Sequence, residues 1–115
     1  MKKVLAVIES EAMQAALQSA LSRRYDLKIC SDADAGAALL GEMPDAVIVD
    51  LQLPGTDGFC FLKQNRALLP RAVLVLSSFI SPSTAQKLAA IGVSAVIRIP
   101  CTVSHIADRL EIRIR

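Results

Sequence analysis

Tryptophan is absent from this chain of 115 residues, and aromatic residues make up only 3% of it. A surface that stacks nucleobases or a flavin ring normally carries several exposed aromatic side chains, so both kinds of surface are disfavoured. Apolar residues nevertheless reach 53%, so the core must be built mainly from valine, isoleucine, leucine and alanine. This composition suits tightly packed layers of helices on a sheet.

Cysteine and histidine are scarce. Cys30, Cys60 and Cys101 are widely spaced, with no CxxC pair and no cysteine–histidine cluster, which argues against a disulfide framework or a zinc centre. We interpret the three thiols as small core fillers in a reducing compartment. The single histidine, His105, falls at the start of the last predicted helix with no nucleophile near it in the pattern, so we interpret it as a solvated helix residue.

Long hydrophobic runs are also missing. The N-terminal segment MKKVLAVIESE has two lysines followed by only five apolar residues before an acid. That run is too short for a signal peptide or a membrane span. We therefore expect a cytoplasmic protein that does not contact a membrane.

The formal net charge is only +2, and no basic run is interleaved with aromatic residues, so we expect no direct nucleic-acid binding. Three arginines, Arg109, Arg113 and Arg115, do crowd the C-terminus. We interpret them as cations that complement the dipole of a last helix, with a functional basic tail as the alternative.

The length fits one domain, residues 1–115, in which apolar runs alternate with helical patterns. Five strands separated by helices predict an α/β fold with a parallel sheet covered on both faces. Polar residues at helix starts and a 3.6-residue apolar period near the C-terminus support the helices. The predicted strands are Val4 to Ile8, Leu27 to Cys30, Ala46 to Val49, Ala72 to Leu76 and Ala95 to Ile99.

Two of these strands are interrupted by a charge, Lys28 in the second and Arg98 in the fifth. Edge strands tolerate charges that central strands cannot, so we place the second and fifth strands at the two edges. The resulting order is 2-1-3-4-5, a doubly wound, flavodoxin-like three-layer sandwich.

That order predicts a crevice where the carboxyl ends of the first and third strands meet. Glu9 follows the first strand and Asp50 the third. Two carboxylates at one crevice suit a hard divalent cation, and Mg²⁺ fits a site with few protein ligands and several waters. Each acid alone could instead be a helix cap or a solvated loop residue.

The segment VIVDLQLPGTDGFCFL, from Val47 to Leu62, carries an aspartate at Asp50, a proline at Pro54 and an Asp-Gly pair at Asp57-Gly58. It closely resembles the phosphoacceptor strand and following loop of receiver domains, the response-regulator modules of two-component signalling. The resemblance extends over essentially the whole chain. By position, Asp57 itself is interpreted as a helix cap rather than a catalytic acid.

The resemblance implies that Asp50 accepts a phosphoryl group from a histidine kinase or phosphotransfer protein. Mg²⁺ would be held by Glu9, Asp50 and the backbone carbonyl of Gln52, and Ser77 would bond a phosphoryl oxygen. The face of the fourth helix and fifth strand would then change its binding to an output domain, a downstream protein or a second copy. No enzymatic activity is implied beyond self-phosphotransfer and autodephosphorylation.

The chain departs from the family pattern at three places. Ser10 replaces one carboxylate of the acidic pair, although it is also a good cap for the first helix. Ile99 replaces the lysine before Pro100, a bond that resembles the family's cis peptide, and Arg98 should not substitute because strand side chains alternate in direction. Val96 stands where the family has the aromatic switch partner of Ser77.

These departures leave two main hypotheses open. The first is a phosphorylatable receiver domain, and the second is a degenerate receiver that works as a phosphorylation-independent docking module. A flavin carrier is disfavoured because neither a phosphate-binding loop nor stacking aromatics follow the first strand. The chain could also be a piece of a longer regulator.

Overall fold

The computed structural model describes residues 1–115 and contains a single five-stranded sheet with five α-helices. The strands are β1 (Lys3–Val7), β2 (Asp26–Cys30), β3 (Ala46–Asp50), β4 (Ala72–Ser77) and β5 (Ala95–Arg98). The helices are α1 (Glu11–Leu21), α2 (Ala33–Leu40), α3 (Gly58–Gln64), α4 (Pro82–Ala90) and α5 (Val103–Ile114).

All neighbouring strands are parallel, and their order is β2-β1-β3-β4-β5, as the interrupted apolar runs predict. The two charged positions do lie on the edge strands. Lys28 of β2 is exposed and forms an ion pair with Glu42 at 2.6 Å, while Arg98 of β5 is exposed and has no carboxylate partner. The flavodoxin-like, doubly wound arrangement is therefore confirmed.

Side chains of each strand alternate between two apolar cores, one on each face of the sheet. The first core packs β-strand residues against Leu17 and Leu21 of α1 and Ile106 and Leu110 of α5. The second packs the alternate strand residues against α2, α3 and α4, with Phe61 as its largest buried side chain. Because the chain has few aromatic residues, both cores are built mainly from aliphatic side chains.

A polar side chain caps the start of every α-helix. In each case the side chain at the N-cap accepts a hydrogen bond from a backbone N–H of the first turn, which satisfies a donor that the helix itself cannot pair. The caps are Ser10, Asp32, Asp57, Ser81 and Thr102. Ser10 and Asp57 thus have the structural role that their sequence positions suggest.

Several details differ from the sequence prediction. Cys60 is exposed on α3, so it is not a core filler, and Cys30 and Cys101 are only half-buried against the cores. Cys60 points outward because Phe61 and Leu62 occupy the inward-facing positions of that short helix. A short 3-10 helix at Arg66–Leu68 follows α3 and was not predicted. No helix is both long and apolar enough to span a bilayer.

Candidate functional site

The carboxyl ends of the strands are aligned by the register of the sheet. Asp50 is paired with Leu76 across β3 and β4, and Ser77 is paired with Arg98 across β4 and β5. On the other side, the Ile8 N–H continues the ladder from β1 to β2 by donating to the carbonyl of Cys30. Residues just beyond these strand ends therefore share one edge of the molecule.

Asp50 is the last residue of β3, and its side chain is half-buried at this edge. Its Oδ1 atom accepts a hydrogen bond of 2.9 Å from the backbone N–H of Gln52, two residues further on. The other carboxylate oxygen, Oδ2, accepts no hydrogen bond from the protein. One oxygen is therefore held in place while the other has no hydrogen-bond partner in the protein.

The loop after Asp50 folds back against the end of β3. Gly58 donates a backbone hydrogen bond of 2.6 Å to Leu51, and Gln52 forms an antiparallel bridge with Asp57. A Cβ atom on Gly58 would lie 2.6 Å from the carbonyl oxygen of Asp50, so only glycine fits this close approach. Asp57 itself accepts from the N–H of Cys60 at 2.7 Å and caps α3.

Glu9 lies just beyond the end of β1, and its side chain is exposed. It lines an open cleft of about 450 Å³ together with Glu11, Gln14, Ser31, Asp32 and Pro54. Asp50 is not part of that lining. The placement of Glu11 and Asp32 around Glu9 was not predicted from the sequence, although Asp32 lies beyond β2 at the same edge.

Ser10 has its hydroxyl oxygen committed to α1, where it accepts from the N–H of Met13 at 3.2 Å. The junction of β1 and α1 is fixed further by Gln14, whose side-chain amide donates to the carbonyl of Ile8 at 2.6 Å. No group of three or more histidine, cysteine, aspartate or glutamate side chains is close enough to enclose a metal ion. The crevice thus offers dispersed carboxylates rather than a compact acidic cage.

Ser77 is the one buried polar side chain of the sheet, with 4% of its surface exposed. Its hydroxyl donates to the carbonyl oxygen of Phe79 at 2.9 Å and accepts from the N–H of Phe79 at 3.3 Å. Phe79 as a whole is 76% exposed. Val96, on β5, packs against the core that α4 covers and is only partly buried.

Ile99 and Arg98 point to opposite faces of the sheet, as strand alternation requires. Ile99 packs against the core under α5, whereas Arg98 has the same direction as Val96, toward α4, and is exposed. The bond between Ile99 and Pro100 is a cis peptide. The cation next to Ile99 in the sequence is therefore on the wrong face to replace a residue at position 99.

A family model described as the response regulator receiver domain matches residues 4–111. The chain belongs to this receiver family. Receiver structures share its fold, for example the chemotaxis protein CheY4 of Vibrio cholerae, with a TM-score of 0.89, 24% identity and 98% of both chains covered. A CheY-like receiver domain protein from Methanospirillum hungatei has a TM-score of 0.91 at 20% identity, covering 99% of this chain and 94% of its own.

Curated relatives of this receiver are longer proteins. A protein-glutamate methylesterase/protein-glutamine glutaminase of Cereibacter sphaeroides is 33% identical, covering 98% of this chain and 32% of its own length. A protein of the same name from Hahella chejuensis is 31% identical over 85% of this chain and 28% of its own. The chain therefore spans about a third of the length of the curated relatives it matches.

Proposed function

We propose that this receiver domain accepts a phosphoryl group on Asp50. The observation that carries the proposal is the asymmetry of the Asp50 carboxylate at the crevice. Oδ1 is oriented by the N–H of Gln52, and Oδ2 has no partner in the protein. A carboxylate held in this way presents one oxygen as a nucleophile with little reorganisation.

The chemistry is a transfer from a phosphohistidine of a kinase or phosphotransfer protein. The free Asp50 oxygen forms a bond to phosphorus while the bond between phosphorus and the donor imidazole nitrogen breaks, so the imidazole leaves. The Gln52 N–H keeps the second oxygen in place throughout. Gly58 lets the loop that bears this N–H pack closely against the end of β3.

We propose Mg²⁺ as the cofactor, with Glu9, Asp50 and the Gln52 carbonyl oxygen as the residues that would hold it. That carbonyl oxygen accepts no hydrogen bond within the chain. Hard oxygen donors and a wide, solvated cleft suit a Mg²⁺ ion that keeps several waters. When bound, the ion would screen the negative charge of the incoming phosphoryl group. Because Ser10 is neutral and already caps α1, we propose that the affinity is weak.

Ser77 and Ile99 set the stability of the phosphorylated state. The Ser77 hydroxyl has one proton, so it can donate to a phosphoryl oxygen only after releasing the carbonyl of Phe79. Ile99 supplies no charge, and a charge-assisted hydrogen bond contributes on the order of 1.5 to 3 kcal/mol. The phosphorylated state should therefore be less stable, or slower to form, than in a receiver with lysine at that position.

Phosphorylation would change the surface formed by α4 and β5, since the loop held by Ser77 leads directly into α4. The partners of that surface would be an output domain, a downstream protein or a second receiver. The test of the proposal is intact mass after incubation with Mg²⁺ and acetyl phosphate. A hydroxylamine-labile phosphoryl adduct on the wild type, absent from Asp50→Ala, is expected, and no adduct on a folded wild type would overturn it.

A second candidate is a docking module that works without phosphorylation. Two observations favour it: the Ser10 hydroxyl is used as a helix cap, and Ile99 is used for core packing. In that case the affinity for the partner would be the same for wild type and Asp50→Ala. Under the phosphoacceptor proposal, Mg²⁺ and acetyl phosphate change the affinity of the wild type alone.

A further inference from the structure

Four cations converge around a cleft at the edge of the sheet opposite the crevice. The cleft has a volume of about 290 Å³ and is lined by Lys2, Pro44, Asp45, Pro70, Arg71, Arg113, Ile114 and Arg115. We refer to it as the basic cleft. Lys2, Asp45 and Arg71 each immediately precede a strand, β1, β3 and β4 respectively, so the basic cleft lies at the amino ends of the central strands.

The charge of this cleft exceeds that of the whole chain. Counting side chains alone, its four cations and one carboxylate give a formal charge of +3, against +2 for all 115 residues, so the remaining side chains are together net negative. The crevice edge carries Glu9, Glu11 and Asp32 on its open cleft. The molecule is thus polarised along its strands, with negative charge at the carboxyl edge and positive charge at the amino edge.

Two arginines of the cleft have no carboxylate partner within the chain. Neither Arg71 nor Arg113 lies within 4.0 Å of a carboxylate, whereas Arg115 is 3.5 Å from Glu111. The Asp45 carboxylate is occupied, because its Oδ2 accepts from the N–H of Lys3 at 2.8 Å. These guanidinium groups are therefore free to bind an anion from outside the chain.

Part of this clustering of cations is explained by their favourable interaction with the negative, C-terminal end of the α5 dipole. Lys2 donates to the carbonyl of Ile114 at 2.7 Å, and Arg113 lies in the last turn of that helix. Arg71 is not on α5 at all. Its backbone is fixed instead, since its carbonyl accepts from the Ser94 hydroxyl at 2.7 Å, so the cation is presented from a rigid position between Pro70 and β4.

We propose that the basic cleft docks an acidic peptide segment of a partner protein, independently of Asp50. The cleft is open and polar, and Ile114 is its only apolar residue apart from two prolines, which suits carboxylates rather than an apolar anchor. It contains no aromatic side chain, so it has nothing on which a nucleobase could stack. Cations drawn from three separate segments match an extended chain that carries several carboxylates.

The experiment is an amide NMR titration of the 115-residue chain with a hexaglutamate peptide, with hexaglutamine and a single-stranded oligonucleotide of equal charge as comparison ligands. We expect saturable shifts around residues 2, 45, 71 and 113 with hexaglutamate and none with hexaglutamine. Shifts confined to other parts of the chain would overturn the proposal. So would stronger binding of the oligonucleotide.

Two double variants that have the same net charge distinguish binding at the basic cleft from general electrostatic attraction. Arg71→Glu/Arg113→Glu reverses two cations of the basic cleft, and Lys63→Glu/Lys87→Glu reverses two exposed cations outside it. We expect about tenfold weaker hexaglutamate binding for the first pair and little change for the second. Equal weakening of both folded variants would show that only net charge matters and would contradict the proposal. The Asp50→Ala variant should bind as the wild type does, so this outcome does not depend on phosphorylation.

Discussion

The Ser77 hydroxyl closes a two-residue hydrogen-bonded turn with the backbone of Phe79, donating to its carbonyl and accepting from its N–H. A buried hydroxyl thereby fixes the loop that carries a highly exposed aromatic side chain. These two hydrogen bonds connect the end of β4 to the loop that leads into α4 in the unphosphorylated receiver.

Removing this hydroxyl should loosen the loop. A typical intramolecular hydrogen bond contributes about 1 kcal/mol, so we expect Ser77→Ala to speed hydrogen exchange at the Phe79 amide by about fivefold. Ser77→Thr, which keeps a hydroxyl, and Ser78→Ala, at an exposed neighbour, serve as controls. Unchanged exchange at Phe79 in Ser77→Ala would show that the hydroxyl does not hold the loop.

A lysine at position 99 should strengthen phosphorylation. Ile99 is half-buried just beyond the end of β5, so a lysine there can lay its methylenes over the core and extend its ammonium toward the carboxyl edge of the sheet. We expect Ile99→Lys to raise the yield or rate of the Asp50 adduct by roughly ten- to a hundredfold. Arg98→Lys is the matched control because its side chain faces the other side of the sheet. The same increase in both variants would contradict the role assigned to side-chain direction.

Gly58 should not tolerate any side chain. A Cβ there would meet the carbonyl oxygen of Asp50 at 2.6 Å and the Cα of Leu51 at 2.8 Å, and neither backbone atom can move without shifting the end of β3. We expect Gly58→Ala to lower the free energy of unfolding by about 1 to 3 kcal/mol in urea denaturation. Gly41→Ala, at a helical C-cap, should change it by less than about 1 kcal/mol. Equal stability of the two variants would contradict the close approach.

The three thiols should differ in reactivity. Burial, and secondarily the carboxylate of Asp32, raise the pKa of Cys30 to about 11 from an ordinary 9.0. Since only the thiolate reacts, alkylation of Cys30 at pH 8 should be about a hundredfold slower than in the unfolded chain, and should accelerate as the pH rises toward 11. A hydrogen bond with Asp57 also raises the pKa of Cys60, so Asp57→Asn should speed alkylation of that exposed thiol. Mass-resolved labelling of each cysteine checks both statements, and a Cys30 rate independent of pH would contradict the first.

The sheet order could be predicted from the sequence because it depends on a local feature, the charges of Lys28 and Arg98 inside otherwise apolar strands. The helix caps could also be predicted from the sequence, since Ser10 and Asp57 bind backbone groups within three residues of their own position. The position of Asp50 could be predicted from the end of an apolar run. These features are encoded over short distances along the chain.

Features that depend on distant segments could not be predicted. The basic cleft joins Lys2, Arg71 and Arg113, which only the folded sheet brings together, and the sequence alone suggested a simple helix-dipole role for the last of these. The outward direction of Cys60 depends on which face of a seven-residue helix packs inward. The bond between Ser77 and Phe79 depends on a loop conformation that no residue pattern specifies.

The most direct test of the phosphoacceptor assignment identifies the modified residue itself. An aspartyl phosphate treated with borohydride is reduced to homoserine with release of phosphate, whereas an unmodified aspartate is not. After incubation of the chain with Mg²⁺ and acetyl phosphate, we predict homoserine at position 50 in the peptide that spans β3 and its following loop. Homoserine at another aspartate, or none at all in a folded protein, would contradict the assignment of Asp50.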